Sequence, residues 1–285
     1  MAATPYYPRG VQPFVRAVTS IGRAGITLGH MLTFFAHAVA GVPATLTRYR
    51  TAFLTVLSDV TWGNGSIVVG GGTAWVIIVL GATAGAIVGI EGYQALHLLG
   101  MEPAAGLLSS TVSTRELAPI MAALAFAAQA GCRFTAQLGS MRISEEIDAM
   151  ESLAIRPIPY LITTRLLASA VAIIPLYILC LVINYAAVQT IVTAAGGLSA
   201  GSFEHYFRLV LTGSDIVYSV GKVIVFIVLT STIQCYYGYF AAGGPQGVGI
   251  AAGRAMRAAI SVMIIANLLL TIGLWGMGSV ARLGG

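Results

Sequence analysis

The chain alternates long apolar runs, nearly free of charged residues, with short polar segments. A helix of about 20 apolar residues crosses the roughly 30 Å hydrocarbon core of a bilayer. Five runs meet this length and are predicted to span the membrane: residues 67–90, 107–140, 166–193, 223–241 and 258–280. The pattern predicts an all-α integral membrane protein, divided into an N-terminal interfacial region (residues 1–62) and a five-helix transmembrane domain (residues 63–285).

Residues 14–47 admit two interpretations, an interfacial helix or a further span, because the apolar side of this segment is only rough. Lysine and arginine accumulate on the cytoplasmic side of membrane proteins. Without a span here, ten of these residues fall on one side and four on the other, whereas a span would give seven and seven. The ten are Arg9, Arg16, Arg23, Arg48, Arg50, Arg142, Arg156, Arg165, Arg254 and Arg257, and the four are Arg115, Arg208, Lys222 and Arg282. We therefore predict an interfacial N-terminal helix, five spans, a cytoplasmic N-terminus and a C-terminus on the outside.

The composition supports the membrane class: 57% of the residues are hydrophobic and 9% are charged, against about 25% charged residues in soluble domains. The net charge of +5 is therefore interpreted as membrane topology rather than nucleic-acid binding. The three cysteines are scattered and predict no disulfide framework. The polar, proline-rich N-terminus predicts no cleavable signal peptide.

A polar segment, residues 141–165, separates the second and third predicted spans. Ser144 is a suitable cap for a helix that starts at Glu145, and Pro157 would end it because proline lacks an amide hydrogen. Four apolar residues share one stripe of this helix: Ile143, Ile147, Met150 and Ala154. We predict a short cytoplasmic helix at about residues 144–156.

Four acidic residues occupy the other faces of this helix: Glu145, Glu146, Asp148 and Glu151. None is followed four residues later by lysine or arginine, so none has an ion-pair partner of that kind within the helix. The helix is therefore either a solvated acidic segment or a docking helix that offers carboxylates to a basic groove on another protein.

Two features of the spans indicate contacts with a partner or a cavity. Gly81, Gly85 and Gly89 form overlapping GxxxG steps, which let another helix or a partner subunit approach closely. The uncharged segment 117–132 would be only about 24 Å long as a helix. Either Arg115 and Glu116 or Arg133 must therefore approach the apolar slab, where ionisable groups face a cavity or a partner.

Motifs for catalysis are absent from the sequence. The chain contains no GxxxxGK[ST] phosphate loop, no HExxH and no GxSxG. His30 and His37 have no third ligand nearby, so no metal site is predicted. The glycine-rich segment 244–249 follows no strand and is interpreted as a tight cytoplasmic turn. We predict that the chain is not an enzyme and holds no cofactor.

Several stretches together resemble one family over roughly residues 45–280. They are Glu116–Pro119 (ELAP), Leu138–Arg142 (LGSMR), Glu145–Glu151 (EEIDAME), Arg165–Ala168 (RLLA) and Gly244–Gly249 (GPQGVG). The chain resembles the MlaE/YrbE-type permeases of MCE-associated ABC lipid transporters, and most of all the actinobacterial YrbE subunits of Mce lipid importers.

The resemblance implies an interfacial N-terminal helix, five spans and a cytoplasmic coupling helix between spans two and three. Its ATPase-coupling residues would be Glu145, Glu146, Asp148, Met150 and Glu151. The candidate lipid path comprises Glu91, Arg115, Glu116, Leu117, Met121 and Leu124.

The implied partners are a paralogous YrbE-type permease, a cytoplasmic ABC ATPase that binds ATP and Mg²⁺, MCE-domain proteins outside, and a lipid of the fatty acid, sterol or phospholipid class. Relatives often have arginine where this chain has Gln129, and an acidic residue where it has Asn267. Both departures from the family pattern favour an asymmetric pair of permeases over a homodimer. The resemblance implies a location in the plasma membrane. Two alternatives are a secondary transporter coupled through Glu91, Glu116 or Arg133, and a membrane scaffold that does not transport.

Overall fold

A computed structural model describes residues 12–62, 72–194 and 196–276, with side chains from residue 25 onward. Within these residues the fold is helical and contains no strand. The α-helices are α1 (Gln12–Ala40), α2 (Val42–Arg48), α3 (Arg50–Trp62), α4 (Gly72–Ile87), α5 (Tyr93–His97), α6 (Ala105–Leu108), α7 (Ala118–Phe126), α8 (Cys132–Ile143), α9 (Glu146–Ser152), α10 (Thr164–Ala194), α11 (Ala200–Val210), α12 (Gly213–Tyr239) and α13 (Gly244–Trp275). Helical segments with π geometry cover Val88–Gly92, Ser109–Leu117, Ala127–Gly131 and Ile158–Thr163, and a 3₁₀ turn covers Glu102–Ala104.

Six helical units of the described residues are long and apolar enough to cross a membrane: Gly25–Arg48, Gly72–His97, Glu102–Ile143, Ile158–Ala194, Gly213–Tyr239 and Gly244–Trp275. The prediction of an all-α membrane protein is confirmed. Only 17% of the most apolar stretch of the first unit is buried within the chain, and 11% of that of the last unit, so burial does not distinguish an interfacial helix from a span. The interfacial position of the first unit, and with it the count of five spans, stays a prediction.

The last two spans begin earlier than the sequence pattern predicts. The fourth starts at Gly213 instead of residue 223, so Lys222 lies inside a helix and not in an outer loop. The fifth starts at Gly244 instead of residue 258. Gly243 and Gly244 have positive φ angles, which places the turn at the very start of this helix, and proline is well suited to its first turn. The segment interpreted as a turn, 244–249, is therefore helical.

The glycine face of α4 packs within the chain. Asn184 of α10 donates an amide hydrogen bond to the carbonyl of Gly81 at 3.1 Å. A methyl group placed on Gly85 would collide with the backbone of Asn184, and one placed on Gly89 would lie 3.0 Å from Ile191. Of the two interpretations of this face, another helix or a partner subunit, the structure selects α10. The three glycines therefore carry no argument for a second subunit.

The hydrophobic core lies where α4, α7, α10 and α12 meet, and its largest fully buried apolar side chains include Phe126, Ile173, Tyr177 and Phe226. A second, smaller cluster joins the ends of the first three spans to Phe203 of α11. The predicted domain boundary at residue 62 adjoins residues that are not described. The predicted positions of Arg9 and Gly285 also lie outside the described residues.

Candidate functional site

A polar cluster connects three spans around Glu116. The Lys222 ammonium of α12, whose side chain is 0% exposed, lies 3.2 Å from a Glu116 carboxylate oxygen. It also donates to the backbone carbonyl of Arg115 and to the Thr271 hydroxyl of α13, both at 2.6 Å. Asn267 donates to the other Glu116 oxygen at 2.7 Å, and Thr271 donates to the first at 2.6 Å. A buried lysine is thus matched by one carboxylate and several oxygen acceptors, as burial of charge requires.

A second ion pair extends this cluster toward the ends of α12 and α13. Arg115 lies 3.2 Å from a carboxylate oxygen of Asp215. The Trp275 indole donates to the same Asp215 oxygen at 2.7 Å, and the Arg115 guanidinium lies 5.4 Å from the Trp275 ring centre. We define the Glu116 cluster as Arg115, Glu116, Asp215, Lys222, Asn267 and Thr271.

The backbone at this cluster departs from regular α-helix. Arg115 and Glu116 lie in the π segment Ser109–Leu117, directly before α7. A π segment shifts the direction of side chains along a helix and often occurs at functional sites. Pro119 in the first turn of α7 lacks an amide hydrogen, and this removes one donor from the preceding helical ladder. The local sequence therefore favours the irregular geometry that presents both charged side chains to α12 and α13.

The structure gives Arg115 and Glu116 partners that the sequence did not indicate. They do not pair with each other as a simple surface pair would; each binds a residue about 100 positions further along. The sequence pattern places Lys222 in a loop, just before the predicted fourth span, and indicates no role for Asp215. The available signal was that Lys222 is the only lysine in the chain and adjoins a long apolar run.

The other predicted lipid-path residues are placed differently. Leu117, Met121 and Leu124 are partly buried and follow Glu116 on one face at helical spacing. Glu91 is exposed in the π segment Val88–Gly92, and within the described residues it makes no ion pair. Arg133 donates to the backbone carbonyl of Asp59 at the end of α3, at 3.1 Å. Leu117, Met121 and Leu124 thus follow Glu116 along the chain, with Leu117 packed on the smaller hydrophobic cluster and Leu124 on the main core, whereas neither Glu91 nor Arg133 contacts the Glu116 cluster within the described residues.

The predicted acidic helix exists as α9, with different ends. Ser144 belongs to the end of α8, and Glu145 precedes α9 in a left-handed conformation with φ of 58°. The helix ends before Ala154, also at φ of 58°, and the amides of Ala154 and Ile155 return to carbonyls of the last turn. This is a helix-ending motif that needs no proline, so the predicted stop at Pro157 is wrong.

The faces of α9 also differ in part from the prediction. Ile147 is fully buried and Met150 is partly buried against the core, but Ile143 and Ala154 are exposed and belong to neighbouring segments. All four acids are exposed. Asp148 pairs with Arg142 at 2.6 Å and Glu146 accepts a hydrogen bond from Ser144 at 2.8 Å, whereas Glu151 makes no ion pair within the described residues. The helix is anchored by one apolar side and presents carboxylates on the other.

The profile of the family described as Permease MlaE matches residues 64–272. The chloroplastic protein TRIGALACTOSYLDIACYLGLYCEROL 1 of Arabidopsis thaliana is 31% identical over 61% of this chain and 49% of its own length. A probable ABC transporter permease of Rickettsia prowazekii is 29% identical over 66% of this chain and 73% of its own.

The intermembrane phospholipid transport system permease protein MlaE of Haemophilus influenzae is 28% identical over 71% of this chain and 78% of its own length. The chain thus spans about half of the plant relative and about three quarters of the two bacterial ones. The family profile covers well over half of the chain, including α4 to α12 and most of α13, and therefore both the Glu116 cluster and α9. The chain belongs to the MlaE permease family.

Proposed function

We propose that this chain is the permease subunit of an ABC transporter that imports lipids across the plasma membrane. The family is one of lipid-transport permeases, and the membrane subunit is not the catalytic ATPase. ATP and Mg²⁺ are bound by a separate cytoplasmic ATPase, a paralogous permease forms the second half, and MCE-domain proteins stand outside. The lipid is of the fatty acid, sterol or phospholipid class; the name of the Haemophilus relative favours phospholipid.

The Glu116 cluster is the observation that carries this proposal. A cluster of ionisable groups within membrane spans is costly and is usually functional. Here an arginine and a partly exposed carboxylate directly precede, along the chain, the partly buried apolar residues Leu117, Met121 and Leu124. A lipid with an acidic headgroup would meet Arg115 while its chains lie along those residues.

The exposed acids of α9 support coupling to the ATPase. ATP-driven closure of the partner would move α9, and Ile147 would transmit this motion because it is fully buried in the core. The spans would then open or close a cavity between the two permease subunits.

Substitution of Arg115 by alanine tests the lipid path. We expect lipid uptake by the assembled transporter to fall several-fold while assembly and basal ATPase activity stay unchanged, because Arg115 would contact the headgroup. Arg208→Ala is the matched control, since Arg208 is also paired, with Glu204, but is exposed on α11. Uptake of radiolabelled lipid and ATPase rate are measured on the same preparations.

Uptake at the wild-type rate in the Arg115→Ala variant would contradict the assignment of the lipid path. Loss of assembly instead of uptake would make the Arg115–Asp215 pair structural. The secondary-transporter alternative predicts that uptake collapses when an ionophore dissipates the proton gradient at constant ATP, whereas the proposed ABC mechanism predicts no collapse.

A further inference from the structure

A cavity of about 550 Å³ lies between α2, α3 and α10, at the end of the bundle that carries α9. Its lining includes Met141, at the end of α8, and five hydroxyl-bearing side chains: Tyr49, Thr51, Thr55, Tyr160 and Thr164. The two lining residues that carry charge are Arg48 and Arg165. The charge lining this cavity is therefore entirely positive.

Arg165 is buried without a matching acid. The residue is 8% exposed, and within the described residues it forms no ion pair. Its guanidinium donates to the Leu161 carbonyl at 2.7 Å and to the Gln137 side-chain oxygen at 3.3 Å, while its Nε is buried and has no acceptor. The carbonyl and amide oxygens are neutral, so they do not compensate the charge. A buried charge that lacks an opposite charge is strongly unfavourable.

The acidic residues of the neighbouring cavity do not form an ion pair with Arg165. Arg165 also borders an adjoining cavity of about 300 Å³, which is lined by Asp59, Glu146 and Arg133. Neither acid is within ion-pair distance of Arg165, and neither lines the 550 Å³ cavity. An anion that enters the 550 Å³ cavity would therefore meet Arg165 at a wall that carries no acid of the chain.

The lining of this cavity suits a phosphate group from outside the chain better than a carboxylate side chain of the chain itself. Guanidinium groups bind phosphate oxygens through short, charge-assisted hydrogen bonds. Arg48 is exposed at the mouth of the cavity, and the surrounding hydroxyls add donors. On the two helices that border the cavity, α2 and α3, Leu46 and Leu54 are 47% and 59% exposed. Positive charge next to exposed leucines is the arrangement that binds anionic lipids at a membrane surface.

We propose that this cavity binds the phosphate of an anionic phospholipid, with Arg48 and Arg165 as its ligands and the acyl chains against Leu46 and Leu54. The site is separate from the Glu116 cluster. Gln137, the side-chain partner of Arg165, follows Glu116 in the same helical unit at a distance of about 30 Å, taking 1.5 Å per residue. The bound lipid would hold α2 and α3 against α10 instead of being transported.

The test measures thermal unfolding of the purified full-length protein, with its co-purifying partners, in detergent with added lipid. Phosphatidylglycerol should raise the unfolding midpoint, whereas phosphatidylcholine, which has no net charge, should raise it much less. In the Arg48→Ala variant the apparent affinity for phosphatidylglycerol should fall about tenfold, which is the effect of losing one charge-assisted contact. Arg50→Ala is the matched control, because Arg50 is exposed two residues further on and donates to the Leu46 carbonyl without lining the cavity.

The Arg48→Ala variant avoids the risk that a change at buried Arg165 prevents folding. Equal affinity for phosphatidylglycerol in wild type and Arg48→Ala would overturn the site, and so would equal stabilisation by the two lipids. Inorganic phosphate alone, if it stabilises the protein as strongly as phosphatidylglycerol, would overturn the assignment to a lipid. Wild-type lipid uptake in a variant with weakened phosphatidylglycerol binding would agree with a site off the transport path.

Discussion

At the scale of single residues, the Glu116 cluster is asymmetric in its exposure. The Lys222 side chain is completely buried, whereas the Glu116 side chain keeps 33% exposure. A charge left alone at the buried position therefore costs more than one left at the partly exposed position. This difference predicts unequal effects when either partner is removed.

We expect Glu116→Gln to destabilise the protein more than Lys222→Met. The glutamine variant leaves the lysine charge buried, at a cost of about 3 kcal/mol, while the methionine variant leaves a carboxylate that Asn267 and Thr271 still contact. The double variant should recover part of the loss. Unfolding midpoints of the purified variants measure this order, and a larger effect of Lys222→Met would contradict it.

The sequence predicted part of this cluster, for a definable reason. Arg115 and Glu116 stood out because the uncharged segment after them is too short to span a bilayer, which is a local property. Lys222 and Asp215 did not, since their pairing depends on how α12 packs against the second span. In the sequence Asn267 is only a departure from the family pattern. In the structure its side-chain amide donates a hydrogen bond to Glu116.

At the scale of elements, the four acids of the α9 region are exposed and none has a lysine or arginine at i+4, but two of them contact residues just before the helix. Asp148 is paired with Arg142 and Glu146 contacts Ser144, whereas Glu145 and Glu151 make no ion pair within the described residues. The sequence could not show this, because Arg142 lies before the helix and outside the i+4 rule. Glu145 and Glu151 are therefore the better probes of docking.

We expect the double variant Glu145→Lys and Glu151→Lys to lower co-purification of the ATPase several-fold, because charge reversal opposes docking on a basic groove. Glu204→Lys on α11 is the control, as Glu204 is an exposed acid on the predicted outer side. Quantitative mass spectrometry of the purified complexes gives the ratio of the two proteins. An unchanged ratio would restore the solvated-helix interpretation of α9.

The contact between α4 and α10 gives a second prediction at this scale. Gly85→Ala should destabilise the protein by about 1–3 kcal/mol, because the added methyl group meets the backbone of Asn184 and overpacks the interface. Gly249→Ala in α13 is the control, since nothing lies within 4 Å of its added methyl group. Equal unfolding midpoints for the two variants would show that α4 and α10 do not pack as closely as described.

At the scale of the whole molecule, the membrane class followed from composition and run length, but helix ends and packing partners did not. Long apolar runs identify spans because lipid excludes charge. The starts of α12 and α13 were misplaced because polar residues such as Lys222 and Arg254 lie within helices, where local rules treat them as loop residues. The sequence indicates the glycine face of α4 but leaves two possible partners for it, another helix or a partner subunit. The fold shows that the partner is α10.

The proposed orientation is tested by single-cysteine labelling with a membrane-impermeant reagent, after replacement of Cys132, Cys180 and Cys235. A cysteine at Leu98, 86% exposed in the turn after the first predicted span, should label from outside, and one at Ser144 should not. A cysteine at Arg9 separates the interpretations of the first helix. Its labelling from outside would mean that Gly25–Arg48 spans the membrane.

The position of Lys222 also bears on how the chain is made. A helix that carries a lysine near its middle enters the bilayer from the translocon at a penalty of about 2.5–3.5 kcal/mol for that residue. Glu116 is synthesised 106 residues earlier, so its carboxylate is already in the membrane when α12 arrives, and Asn267 and Thr271 follow only with α13. Because translation proceeds from the N-terminus, the Glu116 carboxylate is in place before the Lys222 ammonium arrives. Insertion of α12 depends on a helix that left the ribosome well before it.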